Sequence, residues 1–383
     1  MYRKRRTGGL VMMKYGYVFV TGLLLCTTVL PCLARQFSTG NPQVILAHEG
    51  KEELGIRILE TGLFAVNDEG TLKWFSTQQN FPPSGDGLIY SVGRRENPFE
   101  YVRSLSGQIM DMPERGEDKL HPGNSAWIVN VCRDPEQGHI LAFVRVEYWP
   151  FGEAKRKYHR LGLALSKDGG ASFRWCGFII TPELTYETWM NHWKRTQPGS
   201  CDMGHACYIQ KGGYFYVYYQ DTRDLPDTAG HGLAVARARI RDVMAAANKY
   251  EVTVWKKYHQ KKWSENGIGG AFSPLNIAPR GEMHGDAATC DYLHQYILVS
   301  RDDTGDEAGG VVISFSKNGI QWSAWQDVHR DNHYHDFPTI ISLGSDNETV
   351  DKTFWIYYQY DEDDVMPEKY GKIGWNRIQI TLE

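Results

Sequence analysis

Cysteine is scarce: there are seven in 383 residues. Beyond the apolar N-terminal run only Cys132, Cys176, Cys201, Cys207 and Cys290 remain. That number is odd and contains no CxxC pair, so no disulfide framework is required, although Cys201 could pair with another; nor does the cysteine spacing make a zinc site. Charge of one sign is also missing. Lys and Arg total 42 against 46 Asp and Glu, a formal net charge of −4, which gives no reason to invoke nucleic acid or an anionic membrane surface. Long amphipathic helical stretches are absent too; Val243 to Lys249 is the one short candidate. Outside the N-terminus there is no apolar run long enough to span a membrane.

That N-terminus reads as an export signal. Lys4, Arg5, Arg6 and Lys14 precede the apolar run Tyr15 to Leu33, and Cys32-Leu33-Ala34 offers small residues for cleavage. As a membrane anchor, a run of roughly 15–19 residues containing Pro31 is short. Cys26 and Cys32 fit lipoprotein acceptors poorly, being preceded by Leu-Leu and Leu-Pro. Residues 1–34 are therefore expected to be a signal peptide, with the mature chain in the periplasm, at the cell surface or outside the cell.

What the chain has in abundance is a repeated meander of strands. From Cys201 to Ile240 a short apolar run, a Lys-Gly-Gly turn, the aromatic run Tyr214 to Tyr219 and a third run from Gly232 follow one another. Runs of this length, rich in aromatic and β-branched residues and broken by Gly and Asp, read as strands. The third-strand pattern occurs five times, starting at Gly87, Gly162, Gly232, Gly310 and Gly374, so that the starts lie 75, 70, 78 and 64 residues apart. Ahead of each stands a second-strand run, from Leu72, Ile140, Tyr214, Tyr296 and Phe354. First strands begin near Gly62, Ser125, His205, Asp286 and Phe337, and fourth strands are visible at Tyr101, Phe178 and Val252. Five such sheets set radially make an all-β, five-bladed β-propeller over residues 43–383. The fifth blade ends at Glu383 before a fourth strand, and the run from Gln43 can supply it. A β-sandwich is the rival, but a period near 70 residues is foreign to it. Ser166, Asp168, Gly170 and Phe173 form an Asp-box-like hairpin turn, and Ser316, Asn318, Gly319 and Trp322 a degraded second copy. Both are structural.

Inner strands of a propeller line its channel, so polar residues at their starts converge on one mouth. Asp202 and His205, His284 and Asp286, and His335 and Asp336 take equivalent places; Asn124, Ser125, Glu60 and Thr61 stand there in the first two blades. Second strands end on the same side with Arg145 and Glu147, Gln220 and Asp221, Arg301, Asp302 and Asp303, and Gln359, while Glu282 precedes the fourth inner strand. Hydrolysis of a glycosidic bond needs one protonated and one ionised carboxyl group, roughly 5–5.5 Å apart for retention and 6.5–9.5 Å for inversion. Asp202, Asp286 and Asp336, from three blades, suit the wider spacing; Glu147 and Glu282 are alternative proton donors. Each of these can equally be a backbone cap or a ligand of channel water. His205, His284 and His335 are substrate-binding candidates, with His284 and His335 also able to hold a channel ion. Arg145 and Arg301 either pair with Glu147 and Asp302 or clamp a substrate carboxylate. Asp221 is a further binding candidate, and Trp127, Trp149 and Tyr219 are stacking candidates that fit the core equally well. Asp86 begins a third strand and reads as a turn residue. No resident cofactor or metal is expected beyond a possible channel ion.

With five blades, acids on the inner strands and SKDG-type turns, residues 43–383 resemble the five-bladed propeller glycoside hydrolases: family 43 arabinanases and β-xylosidases and their relatives. The resemblance implies an inverting hydrolase of a plant, algal or microbial polysaccharide, with an Asp base, a pKa-tuning Asp and a Glu acid on different blades. Here His284-Gly285-Asp286 stands where that family has Glu-Gly-Pro, and the first blade shows no Asp at its strand start. Sialidases share Asp boxes but use six blades, three arginines and a Tyr–Glu pair, a set this chain does not assemble. A polysaccharide lyase using His205 or His284, or a carbohydrate-binding propeller without activity, are the other readings.

Overall fold

Tyr214–Arg223 shows why these strands form and how they stack. Successive side chains of a strand point to opposite faces. Phe215, Val217 and Tyr219 enter one apolar core with strands of the preceding sheet. Tyr216 and Tyr218 enter a second core with the following sheet. A strand buried on both faces cannot leave a polar side, and the run is accordingly aromatic and β-branched throughout. Each large apolar side chain so covered contributes about 1.5–3 kcal/mol.

The computed structural model describes residues 36–56, 58–59, 61–68, 70–79, 87–105, 109–112, 125–147, 158–196, 201–223, 230–304, 309–344, 348–361 and 372–383. The expected leader, and Glu60, Asp86, Asn124 and Trp149, lie outside the described residues. Five sheets, each a meander from channel to rim, make a five-bladed β-propeller. Blade 1 is Ile58–Leu59 with Phe64–Asp68, then Thr71–Gln79, Gly87–Arg94 and Asn97–Leu105. Blade 2 is Ser125–Arg133, Ile140–Glu147, Arg160–Ser166 and Arg174–Ile180. Blade 3 runs through Cys201–Met203 with Cys207–Lys211, Tyr214–Arg223, Gly230–Arg239, Lys256–His259 and Lys262–Asn266. Blade 4 is Gly285–Cys290, Gln295–Asp302, Gly310–Ser316 and Gln326–Arg330, with Thr349–Val350 added in parallel to its inner strand. Blade 5 is His335–Ser342, Thr353–Asp361 and Ile373–Leu382.

Its outer positions come from the other end of the chain. Phe37–Thr39 and Gln43–Leu46 both pair antiparallel with Ile373–Leu382, Phe37 opposite Leu382 and Gln43 opposite Arg377. The ring therefore closes as expected, with one extra strand. Phe37 drops its ring into the core between blades 4 and 5, against Phe315 at 6.2 Å.

Both Asp-box turns sit between third and fourth strands. In the first, Gly170 N and Ser172 N donate to Ser166 Oγ and Asp168 Oδ1 at 2.8 and 2.9 Å, and Phe173 packs edge-on against Phe75. Gly169 and Gly170 have φ of +70° and +97°, which explains the glycines. Some elements differ from expectation. Val252 to Trp255 is not a strand: the helix Ile240–Ala247 intervenes, Trp255 is buried, and the fourth strand starts at Lys256. A helix, Tyr186–Thr196, was not foreseen; Trp189 and Met190 bury one side of it against Tyr158. Cys132, Cys176, Cys207 and Cys290 are free and buried. Among the described residues no helix is long and apolar enough to cross a membrane.

Truncating Phe37 to Ala opens a cavity at the seam that the N-terminal strands close. The unfolding free energy in urea is expected to fall by about 3–5 kcal/mol; an unchanged midpoint would show that the seam contributes nothing.

Candidate active site

Asp336 stands at the channel end of blade 5's inner strand and is almost fully buried. A carboxylate in that position must be compensated or neutralised. Four donors converge on it. His284 Nδ1 donates to Oδ1 at 2.6 Å and Phe337 N at 2.7 Å. Arg301 Nη1 and Tyr334 OH donate to Oδ2 at 2.8 and 2.7 Å. Burial alone would raise its pKa, but Arg301, His284 and Tyr334 hold it at about 2, so Asp336 is a fixed anion.

The backbone is bent to achieve this. Between Asp336 and Thr339 the pairing with Thr353–Asp361 slips by a bulge, and Phe337 sits at φ +49°. Non-glycine residues avoid that region, and such strain clusters at functional sites. The Phe337 ring stacks on His284 at 4.4 Å and 11°, and on His205 at 5.0 Å. Burial, with the neighbouring His284 and Arg145 charges, takes His205 well below the ordinary imidazole pKa; it is a neutral member of the stack. His284 is the opposite case: burial works to lower it, but the Asp336 charge and hydrogen bond raise it.

On its other side His284 Nε2 faces Glu282 Oε1 at 3.6 Å. Glu282, with a 24% exposed side chain, also receives Arg145 Nη2 at 2.7 Å. Arg145 is buried and lies 3.2 Å from Glu147 as well, and it donates to His159 Nδ1 at 2.7 Å. Arg301 Nη2 pairs with Asp303 at 2.9 Å. Burial, opposed by Arg301 and assisted by Asp336, raises the Asp303 pKa. The mouth thus holds Asp336, His284 and Glu282 in a line, flanked by two arginines engaged with protein carboxylates.

Other expected residues lie elsewhere. Asp286 follows His284 by two residues, within Gly285–Cys290, but belongs to the wall of an axial cavity of about 410 Å³ to which every blade contributes, Phe64, Asn130, Tyr208, Asp286 and Thr339 among its lining residues. Its oxygens accept from Asn130 Nδ2, Ala287 N and Ile340 N at 2.8, 2.8 and 3.0 Å. It thereby ties blade 4 to blades 2 and 5 rather than facing Asp336 across the mouth. Burial pushes its pKa to about 6 against these three donors. His335 does not point to the channel. It is the strand neighbour of Asp336, and alternation turns it to the opposite face, against His329 and Tyr358. Trp127 and Tyr219 are covered in the core between blades 2 and 3, so neither offers a ring face for stacking. Asp221 is buried where Tyr214–Arg223 passes Met203, and Gln220 Oε1 accepts Met283 N at 2.6 Å, linking blade 3 to blade 4. Asp302 pairs with Arg280 at 2.9 Å and with Arg330, not with Arg301. Thr61 Oγ1 accepts Thr77 N at 2.8 Å within blade 1. Asp202 and Ser125 lie in strands opposite Thr222 and Glu147; their side chains lie outside the described residues. Sequence reasoning missed Tyr334, His159 and the part played by Phe337. Tyr334 carried a signal, standing two residues before Asp336.

No protein-family model and no curated protein matches the chain. Several solved structures are similar in fold. The catalytic domain of a family 62 α-L-arabinofuranosidase of Coprinopsis cinerea is 12% identical, with a TM-score of 0.50, over 91% of this chain and 96% of that one. A family 62 hydrolase in complex with xylotriose is 10% identical, with a TM-score of 0.51, over 90% and 97%. A family 117 glycoside hydrolase of Zobellia galactanivorans is 12% identical, with a TM-score of 0.50, over 91% and 86%. At such identities the likeness is one of fold.

Asp286 generates a measurable linkage. Its folded pKa of about 6 lies above the ordinary carboxyl value of 3.8. Between these pH values the folded state binds more protons than the unfolded, so this group's contribution to stability declines as pH rises. Replacing it with Asn removes the titration. The stability of the parent relative to Asp286→Asn should drop by about 2 kcal/mol from pH 4 to pH 7 in urea unfolding; a difference constant with pH would refute the assignment.

Proposed function

We propose that the chain is an exported glycoside hydrolase acting on oligo- or polysaccharides at the mouth of its channel. The observation that carries this reading is the line Asp336–His284–Glu282. A buried anion favours the charged imidazole and fixes its ring, and the imidazole presents Nε2 beside a partly exposed carboxyl group. Such a pair can hold a proton next to a leaving-group oxygen and release it as the glycosidic bond breaks. We assign the proton-donor role to Glu282 with His284, a positioning role to Asp336, and water activation to Asp202 on the adjoining blade. Separate blades favour the wider spacing of an inverting reaction. Similar folds with TM-scores of 0.50 or more include an arabinofuranosidase and a hydrolase solved with xylotriose, which makes arabino- and xylo-oligosaccharides the first substrates to try. Residues 1–34 are proposed as the export leader, testable by sequencing the N-terminus of the secreted protein.

Arg145 and Arg301 are engaged with Glu282 and Glu147, and with Asp336 and Asp303. That argues against the uronate clamp a lyase needs.

Product analysis separates these readings. New reducing ends without ultraviolet absorbance support hydrolysis; an unsaturated, absorbing product means a lyase, and retention without turnover means a lectin. Glu282→Gln and His284→Asn are each expected to lower kcat by about 10²–10⁴-fold with the circular dichroism unchanged. Since the active form carries a protonated His284, kcat should fall as pH rises through a pKa above the ordinary imidazole value, and in Asp336→Asn that limb should move to lower pH. Full activity in both Glu282→Gln and His284→Asn would remove the assignment.

A further inference from the structure

The connection from blade 4 to blade 5 reads His329-Arg330-Asp331-Asn332-His333-Tyr334-His335. It leaves the outer strand Gln326–Arg330 and enters the inner strand His335–Ser342. Three of its side chains turn to one point on the far side of the strand from Asp336. His329 Nε2 lies 2.9 Å from Asp331 Oδ2, and His335 Nε2 lies 3.4 Å from Asp331 Oδ1. The three candidate ligand atoms are all within 4.8 Å of one another. A zinc tetrahedron with bonds of about 2.0–2.1 Å has edges of roughly 3.3 Å, so the set needs only small adjustments to close on an ion.

The surroundings favour a held site over a chance cluster. The side chains of His335, His329 and Asp331 are 1%, 20% and 37% exposed, so the group is anchored inside and opens to solvent on one side. His335 is buried, and its ring meets His329 edge-on at 5.2 Å and lies 5.3 Å from Tyr358. Asp331 Oδ1 accepts His333 N at 2.8 Å, which fixes the carboxylate. His333 is turned away: its Nδ1 donates to the Asp361 carbonyl at 2.8 Å.

We propose that His329, Asp331 and His335 bind one divalent cation of the zinc class, with solvent filling the open position. Two imidazoles and one carboxylate suit Zn²⁺ and its first-row neighbours, whereas Ca²⁺ and Mg²⁺ take oxygen ligands. The ion ties the rim of blade 4 to the residue before Asp336, and so steadies the loop that brings Tyr334 and Asp336 to the mouth. This site does not depend on the hydrolase reading. The competing account is a hydrogen-bonded turn, with Asp331 bridging His329 and the His333 amide and no metal.

The test uses the full chain stripped with a chelator and titrated with Zn²⁺ by calorimetry, with Co²⁺ as an optical probe. One equivalent should bind, Co²⁺ should give the visible absorption of a low-coordinate site, and Zn²⁺ should raise the melting temperature. His329→Ala and Asp331→Asn, both at partly exposed positions, should each lose at least about 100-fold in affinity and abolish the thermal shift. His333→Ala should keep binding within a few-fold. Less than one equivalent bound to the parent, or equal binding by parent and His329→Ala, overturns the proposal.

Discussion

A carboxylate buried at the mouth of a ring dictates how the groups around it are placed. Stripping Asp336 of water would cost several kcal/mol if nothing replaced the lost hydration. The replacement comes from two blades and from both sides of a kinked backbone: His284 and Arg301 from blade 4, Tyr334 and the Phe337 amide from blade 5. Meeting all four fixes the ring orientation of His284, the direction of Arg301 and the positive φ of Phe337. The chemistry assigned to the mouth uses an imidazole whose charge and angle follow from that one compensated anion.

A second polar knot does a different job further along the axis. Asp286, Asn130 and the Ile340 amide join blades 4, 2 and 5 beside the channel cavity. Blades pack on their neighbours through apolar faces, but such packing is non-directional. Directional hydrogen bonds across the axis fix how far the sheets turn relative to one another. Asp286 and Asp336 share one local device, a carboxyl oxygen accepting the next residue's amide, yet their outer partners place one in the wall and the other at the mouth.

The architecture was legible because each repeat announces its strands by composition and its turns by glycine. The site was legible in part. Inner-strand starts named His284, Asp336 and His205, and Glu282 followed from its place before them. His335 was misplaced because a period of two cannot send adjacent residues to the same side of a strand. Trp127 and Tyr219 look like sugar platforms in a sequence, but a strand sandwiched between sheets buries both its faces. The placing of Phe337 depends on a bulge, and no local signal in the sequence marks where the register slips. Val252 was read as the start of a fourth strand, but the helix Ile240–Ala247 intervenes and the third strand pairs from Lys256 instead.

The pairing of the first described strand with the last has a consequence for biosynthesis. Ser38 and Thr381, 343 residues apart, meet in the same ladder. Four blades and most of a fifth can form while the polypeptide emerges, but the ring has no means of shutting until its final segment is free. Throughout that interval two sheet edges and the apolar seam between blades 4 and 5 are uncovered, a state prone to association with other chains. Closure is thus a late, long-range event whose rate is set by loop entropy, and an incomplete polypeptide remains an open arc.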